Sequence, residues 1–189
     1  MCRLVLASGS PRRRKILTDL GLTFNIVKTD APEISIPEDP ERTVIDNATA
    51  KLLSAQKLVD DGIPLLAADT IVWFANRIYG KPRDLVEAAT FLRELSGNTH
   101  TVFTGLAYAD TAGRLQIACE RADVTFKKLD APTITRYLKL VNPIDRAGAY
   151  DIDTHGELLI DHYTGSYENI MGLPKEPLIR FGIVPAEHG

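Results

Sequence analysis

One short motif, SGSPRR at positions 8–13, combines a turn, the start of a helix and two arginines. A serine–glycine pair after an apolar run predicts a turn, and serine followed by proline is typical of a helix N-terminus. Free backbone N–H groups and the positive end of the helix dipole favour an anion there. Ser8 and Ser10 add hydroxyl donors, and Arg12 and Arg13 can hold phosphate oxygens in bidentate fashion. The alternative, a solvated basic run at a helix start, stays open on this motif alone.

A second candidate is an acid inside an apolar segment. Asp69, followed by Thr70, stands between the apolar runs 65–68 and 71–74. An ionised carboxylate on a core strand is costly unless it is paired, bound to a metal or placed at a cleft. A strand that ends at the surface in an aspartate turn is the alternative, but the apolar residues continue beyond it. We therefore favour a functional role for Asp69.

Three further charged residues are ambiguous when they are taken singly. Lys81 lies in the loop sequence GKPRD, where glycine frees the backbone beside it and proline stiffens the exit. Lys51 follows Asn47 by four residues on a predicted helix, beside a seam of alanines. Glu33 lies in a proline-bearing loop. On its own, each of these three charged side chains is expected to be solvated.

The first predicted helix should turn its arginines in different directions. Ile16 and Leu17 belong to its apolar stripe, and residues four positions earlier share the same helix face. Arg12 and Arg13 are therefore expected at the inner end of that stripe. Arg14 is expected on the solvated face.

Composition narrows the classes of function. The chain has 189 residues and a net charge of −3, which argues against a broad nucleic-acid-binding surface. Two cysteines indicate reduced thiols and a cytoplasmic location, and no apolar run reaches the roughly 18 residues of a membrane helix. The four histidines have no metal-ligand spacing. A hydrolase would therefore rely on carboxylates, basic side chains and an oxygen-preferring metal such as Mg²⁺ or Mn²⁺.

Apolar periodicity, turn residues and helix caps divide the chain into strands and helices. Strands are predicted at 3–7, 23–28, 64–72, 99–109, 114–126 and 156–161. Helices are predicted at 11–21, 41–60 and 84–97, from 132 onward and from 174 onward. Helices interleave with strands early, and two long strands form a hairpin in the middle of the chain. This order predicts an α/β fold with a mixed sheet and a cleft, in a single domain over residues 1–189.

Taken together, the motifs resemble the Maf family, whose fold is related to that of inosine triphosphate pyrophosphatase. They occur in order over most of the chain: LASGSPRRR at 6–14, Glu33, AADTIV at 67–72, GKPRD at 80–84, LSGNTHTVFTG at 95–105, RAGAYDID at 146–153 and GSYENIMGLP at 165–174. Several ordered motifs make the resemblance more specific than any one of them. It implies a mixed twisted sheet with flanking helices and two lobes around a cleft.

The resemblance also implies an activity, the hydrolysis of the α–β phosphate bond of dTTP, UTP or related non-standard nucleotides. The products would be the monophosphate and pyrophosphate. The triphosphate would lie among the SGSPRR motif, Lys51 and Lys81. Asp69 would be the general base and Glu33 its partner for metal or water, so both would hold Mg²⁺ or Mn²⁺.

Base selection is implied for Arg12, Thr70 and the residue at 153. Arginine in SPRR with Asp-Thr at 69–70 resembles the branch that acts on dTTP and UTP rather than on 7-methyl-GTP. That branch typically reads Tyr-Gly-Ile-Gln where this chain reads YDID at 150–153. A glutamine amide donates and accepts, which suits uracil and thymine, whereas the carboxylate of Asp153 only accepts. We expect Asp153 to turn away or to act through a water, leaving a weaker pyrimidine preference. The alternative is that it accepts from an exocyclic amino group, which would extend activity toward cytosine-type or modified bases.

One alternative comes from another functional class. A non-catalytic regulator of cell division could sense nucleotides, or bind nucleic acid, through the SGSPRR motif. Such a protein needs the basic turn but has no evident need for Asp69 with Glu33. We therefore expect a nucleoside triphosphate as the partner, with no membrane and no stable nucleic-acid partner. A homodimer stays open.

Overall fold

The computed structural model describes residues 4–185, which form a mixed sheet with helices around it. The strands are β1 (Leu4–Leu6), β2 (Phe24–Ile26), β3 (Leu65–Phe74), β4 (Arg77–Tyr79), β5 (Thr99–Ala109), β6 (Leu115–Phe126) and β7 (Ile160–Thr164). The helices are α1 (Pro11–Asp19), α2 (Pro40–Gln56), α3 (Leu85–Leu95), α4 (Ala131–Leu140), α5 (Tyr167–Met171) and α6 (Lys175–Arg180).

The seven strands lie in the order β2-β1-β3-β5-β6-β7, with β4 paired to the end of β3. β1 runs parallel to β2 and to β3, and the other pairs are antiparallel. The predicted α/β fold with a mixed sheet and flanking helices is confirmed. The first predicted strand includes Arg3, which lies outside the described residues.

Helix α2 packs against the middle of the sheet at very close range. Its buried residues include Val44, Ala48 and Leu52, which cover β3 and β5. At Gly105 of β5 a Cβ atom would lie 2.4 Å from the Val44 carbonyl oxygen, so only glycine fits there. Gly105 is the cross-strand partner of Asp69. The close approach therefore brings the side chains of α2 to the level of Asp69.

Apolar clusters fix the remaining helices. Leu17 of α1 and Leu178 of α6 pack with Leu66 of β3. Phe91 of α3 and Tyr137 of α4 belong to a second cluster, at the far end of the sheet.

Among the helices described between residues 4 and 185, none has the length and apolarity to cross a membrane.

Three parts of the chain differ from the prediction. The strand predicted at 156–161 is wrong at its start, because a 3-10 turn occupies Gly156–Leu158 and β7 begins at Ile160. A Cβ on Gly156 would lie 3.1 Å from the Asp151 carbonyl oxygen, so this glycine allows a close turn rather than opening a strand. Strand β4 and the short helix α5 are absent from the predicted elements. The turn before β4 has positive φ at Ala75 and Asn76, without the glycine that usually reveals such a turn.

Candidate active site

A cleft of about 740 Å³ opens where β1 leaves the edge of β3. β1 ends at Leu6, opposite Leu66, whereas β3 continues to Phe74. The edge of β3 beyond Leu66 is uncovered until β4 pairs with it from Val72. The walls of the cleft come from the SGSPRR motif, α2, β3 and the loops that follow β2, β4 and α4. Nine of the ten predicted site residues line it, and Asp153 does not.

An ion-paired cluster of two acids and one lysine forms one end of the cleft. The Lys51 ammonium lies 2.5 Å from Asp69 Oδ1 and 2.7 Å from Glu33 Oε1. The Lys51 side chain is only 16% exposed and that of Asp69 is 8% exposed, whereas that of Glu33 is 60% exposed. The expectation that Lys51, taken singly, is solvated is therefore wrong. Docking of α2 over β3 turns it inward.

Asn47 is a member of this cluster that the prediction does not include. Its amide nitrogen donates to Asp69 Oδ2 at 3.0 Å and to the Ile34 carbonyl at 3.1 Å. Its amide oxygen accepts from the Ile34 N–H at 2.8 Å. Asn47 therefore orients the Asp69 carboxylate and fixes the loop that carries Glu33. The available signal was its position four residues before Lys51, on the same helix face.

Arg13 lies beneath the cleft, as the helix periodicity predicts. Its Nε donates to the Gly172 carbonyl at 2.8 Å, and its other nitrogens donate to Ser8 Oγ at 3.1 Å and Thr70 Oγ1 at 3.0 Å. Burial lowers the pKa of Arg13 to about 10, and the nearby Asp69 carboxylate opposes that shift. The guanidinium therefore keeps its charge at neutral pH. Its contact with a phosphate stays a prediction, because three of its five N–H groups already bind the protein.

The backbone around Arg13 requires a glycine at 172. Gly172 has φ 100°, and a Cβ there would lie 3.0 Å from Thr70 Oγ1. Thr70 Oγ1 also lies 3.0 Å from Thr104 Oγ1. Any side chain at 172 would push on the Thr70 hydroxyl that accepts from Arg13. This glycine thereby permits the contact between α1, β3 and the end of α5.

The SGSPRR motif forms the predicted turn and helix start. Ser10 is the N-cap of α1, and its side chain makes no capping hydrogen bond. The Ser10 N–H instead donates to Ser8 Oγ at 3.2 Å. Both residues line the cleft, so their hydroxyl hydrogens can point to an anion at the positive end of α1.

Lys28 is a further cation that the prediction does not include. It follows β2, lines the cleft, and its aliphatic carbons lie 3.4–3.7 Å from where a Cβ on Gly9 would be. Parallel pairing of β1 with β2 brings Lys28 beside the SGSPRR motif, because both strands end at the same edge. A lysine at the end of the predicted strand 23–28 was the signal for it.

Lys81 and Arg12 line the cleft, and both contact Asp145. Lys81 Nζ is 3.2 Å from Asp145 Oδ1, with 66% of the lysine side chain exposed. Arg12 donates to the Asp145 carbonyl oxygen at 3.3 Å. Because Lys81 is so exposed, its pair with Asp145 is weak and can yield to a phosphate.

Asp153 makes its closest side-chain contact outside the cleft lining. The Tyr167 hydroxyl donates to Asp153 Oδ1 at 2.8 Å. Burial, and next the hydrogen bond to Asp153, raise the pKa of Tyr167, which therefore stays a donor. The carboxylate turns toward this tyrosine. A contact between Asp153 and the nucleobase stays a prediction.

The donor set of the acidic cluster suits a divalent ion that arrives with phosphates. Glu33 and Asp69 converge on one point, now held by the Lys51 ammonium. One or two carboxylates with substrate phosphates and waters are an ordinary ligand set for Mg²⁺. Within the described part of the chain, no three His, Cys, Asp or Glu side chains are grouped to hold an ion by themselves. The residues therefore fit a metal shared with the substrate rather than an all-protein site.

Comparison with known proteins agrees with this architecture. A family model described as Maf-like protein matches residues 3–181. The chain belongs to the Maf-like protein family. The resemblance inferred from the ordered motifs is confirmed, and the match includes every segment that lines the cleft.

Relatives of this Maf-like protein align with it over nearly its whole length. A Salmonella typhimurium protein named dTTP/UTP pyrophosphatase is 41% identical over 175 residues, which are 92% of this chain and 88% of the relative. Proteins of the same name from Deinococcus radiodurans and Dechloromonas aromatica are each 38% identical, over 94% and 97% of this chain and 90% and 99% of the relatives. Among solved structures, the Ham1 protein of Staphylococcus aureus is 12% identical with a TM-score of 0.48, over 66% of this chain and 71% of that one.

Proposed function

We propose that this Maf-like protein hydrolyses nucleoside triphosphates between the α and β phosphates, releasing a monophosphate and pyrophosphate. One observation carries this function: Asp69 and Glu33 share the Lys51 ammonium in a cleft that also contains the N-terminus of α1. Two acids facing an anion site repel phosphates and weaken their binding. A protein that only senses nucleotides gains nothing from this repulsion. A hydrolase uses the two acids for proton transfer and for metal binding. The names of the relatives support the same reaction.

Asp69 acts as the general base in this proposal. Asn47 and Lys51 hold its two oxygens, so its orientation is fixed before substrate binds. A water beside Asp69 gives its proton to the carboxylate while its oxygen bonds to the α-phosphorus. The bond from the α-phosphorus to the bridging oxygen breaks, and pyrophosphate leaves with that electron pair. Lys51 is close enough to stabilise charge on the phosphoryl oxygens.

Cationic groups on the other walls suit the leaving pyrophosphate. Lys28 and Lys81 line the cleft together with the N-terminus of α1. Their charges offset the charge that develops on the leaving oxygens, and the helix end adds backbone donors. Arg13 contributes a fixed positive charge from below, since its hydrogen bonds to the protein hold it in place.

Activity is expected to depend on a divalent cation held by Glu33 and Asp69. Such an ion neutralises phosphate charge and polarises the phosphoryl group when bound. Without it, both carboxylates remain on Lys51 and repel the triphosphate. A chelator should reduce pyrophosphate release to background, and Mg²⁺ or Mn²⁺ should restore it, while matched NaCl should not. Full activity in the chelator would assign charge neutralisation to the lysines and arginines alone.

dTTP and UTP are the substrates that the relatives and two cleft residues support. The relatives are named for these nucleotides. Arg12 and Thr70, the positions implied in base selection, both line the cleft. We also infer a cytoplasmic location, because the sequence has only two cysteines and these have no metal-ligand spacing, which is typical of reduced thiols.

With UTP or dTTP and Mg²⁺, we expect monophosphate and pyrophosphate in equal amounts. Because water attacks the α-phosphorus, a reaction in ¹⁸O-water should place the label in the monophosphate. Ion-exchange chromatography and mass spectrometry of both products measure this, with the nucleoside diphosphate as a comparison substrate. Release of orthophosphate with a diphosphate, or label in the pyrophosphate, would contradict attack at the α-phosphorus.

A further inference from the structure

Asp151 is a buried acid on the wall of the cleft. The residue is 5% exposed and lines the cleft beside Arg12. Its Oδ2 accepts from Arg146 Nε at 2.8 Å and lies 3.8 Å from an Arg12 guanidinium nitrogen. Its Oδ1 accepts from the Asp153 N–H at 2.9 Å, and its own N–H donates to the Tyr137 hydroxyl at 2.8 Å. The carboxylate is therefore fixed from several sides.

Arg12 depends on this carboxylate for its charge balance. The Arg12 side chain is 24% exposed, and burial lowers its pKa. The charge of Asp151 opposes that shift, whereas the neighbouring Arg146 adds to it. Two arginines thus share one buried acid. Removing the acid would leave two like charges together, and Arg12 would keep its hydrogen bond to the Asp145 carbonyl and the smaller favourable effect of the Asp145 charge.

We propose that Asp151 is a positioning residue, which holds the Arg12 guanidinium in the cleft wall and so sets the contact that this wall makes with the nucleotide. Asp153 does not share this task, because its carboxylate is bound to Tyr167 and does not line the cleft. A guanidinium that is already held loses less conformational freedom on binding than a mobile one. The inference rests on the proposed function in taking a nucleotide as the ligand, but it needs no turnover.

A double-mutant cycle on binding separates a positioning role from a structural one. The probe is α,β-methylene-UTP, which cannot be cleaved at the proposed bond, and calorimetry gives its Kd. Asp151→Asn keeps the size of the side chain and removes its charge. It should raise Kd by about threefold to tenfold in the native background, but by less than about twofold when Arg12 is already alanine. The two effects are not additive because Asp151 acts through Arg12.

Turnover of UTP provides a second readout. Asp151→Asn should raise KM more than it lowers kcat, because the acid contacts Arg12 rather than the Asp69 cluster. Asp19→Asn is the matched control, because Asp19 lies on α1, as Arg12 does, but pairs with Lys15 on the exposed side of that helix. It should leave Kd, KM and kcat unchanged. If Asp151→Asn does not fold, Asp151→Gly carries the same test, because the pyrimidine branch that this chain resembles reads glycine there.

Results that contradict the role of Asp151 can be distinguished from results that contradict the hydrolase function. Equal weakening in both Arg12 backgrounds, or no weakening, would overturn the positioning role of Asp151. A larger increase in Kd for Asp153→Asn than for Asp151→Asn would overturn the proposal, because it would assign the contact with the nucleotide to position 153. Tight analogue binding without pyrophosphate release by the native protein would contradict the hydrolase function alone. Absence of analogue binding by the native protein would overturn both inferences.

Discussion

Asp69→Asn is expected to lower kcat for nucleotide hydrolysis at least about 10²-fold, and toward 10⁴-fold. The amide matches the carboxylate in size but cannot take a proton from water at neutral pH. Lys51 loses one of its two acidic partners and keeps Glu33, so the cluster should stay assembled. Steady-state pyrophosphate release at saturating UTP and Mg²⁺ measures the loss.

Asp46→Asn is a suitable control for this loss. Asp46 lies on α2, as Lys51 does, but it pairs with Arg42 at the protein surface. It should leave kcat unchanged, and the thermal unfolding midpoints of both variants show whether the fold is intact. A folded Asp69→Asn protein with near-native kcat would show that another group takes the proton. Glu33→Gln would then be the variant to examine.

The position of Asp69 in the cleft could be predicted because its signal is local. An acid between apolar residues on one strand is costly unless a site uses it. The structure places that acid at the uncovered edge of β3, inside the cleft. The SGSPRR motif carries an equally local signal, because turn residues, a proline and two arginines lie within six positions. Both signals can be recognised in a short stretch of sequence, without knowledge of any distant contact.

Lys51 and Asn47 could not be predicted in the same way. Their side chains enter the cleft because α2 docks on the sheet, and that docking depends on the lack of a side chain at Gly105. The glycine lies far along the chain from both residues. Helix periodicity correctly turns Arg13 inward, but its partner Gly172 is 159 residues away. Within a single segment, tertiary contacts of this kind leave at most a shared helix face, as for Asn47 and Lys51, and no sign of the partner.

The secondary structure also divides into elements that the local pattern predicts and elements that it misses. The hairpin of β5 and β6 was predicted nearly to the residue, since long apolar strands flank a turn containing Gly113. The error at 156–161 has a local cause that the apolar pattern does not reveal, a tight turn in which Gly156 approaches the Asp151 carbonyl five residues earlier. Strand β4 was missed because Ala75 and Asn76 form its turn without a glycine. Local rules thus predict elements well and their terminal contacts poorly.

Lowering the pH from about 6.5 toward 3 is expected to cost up to about 5 kcal/mol of unfolding free energy through His100 alone. His100 is 1% exposed, and burial lowers its pKa from 6.5 to about 3. Its Nε2 lies 2.9 Å from the Tyr150 hydroxyl. Its Nδ1 has no hydrogen-bond partner among the described residues, and Phe126 packs edge-on to the ring. A second proton on this ring would therefore have no acceptor.

The sign of the effect follows from which state binds the proton. Below pH 6.5 the unfolded chain protonates His100, whereas the native state does not until the pH nears 3, so native stability falls with pH across this window. His100→Phe should flatten the dependence of unfolding free energy on pH by up to about 1.4 kcal/mol per pH unit. The variant loses the Tyr150 hydrogen bond at every pH, which moves the whole curve without changing its slope. Urea denaturation between pH 7 and 4 measures the slope, with His162→Gln as the control because 63% of the His162 side chain is exposed. Parallel curves for the native protein and His100→Phe would show that His100 takes up its proton equally in both states, and hence that the buried ring finds an acceptor in the fold.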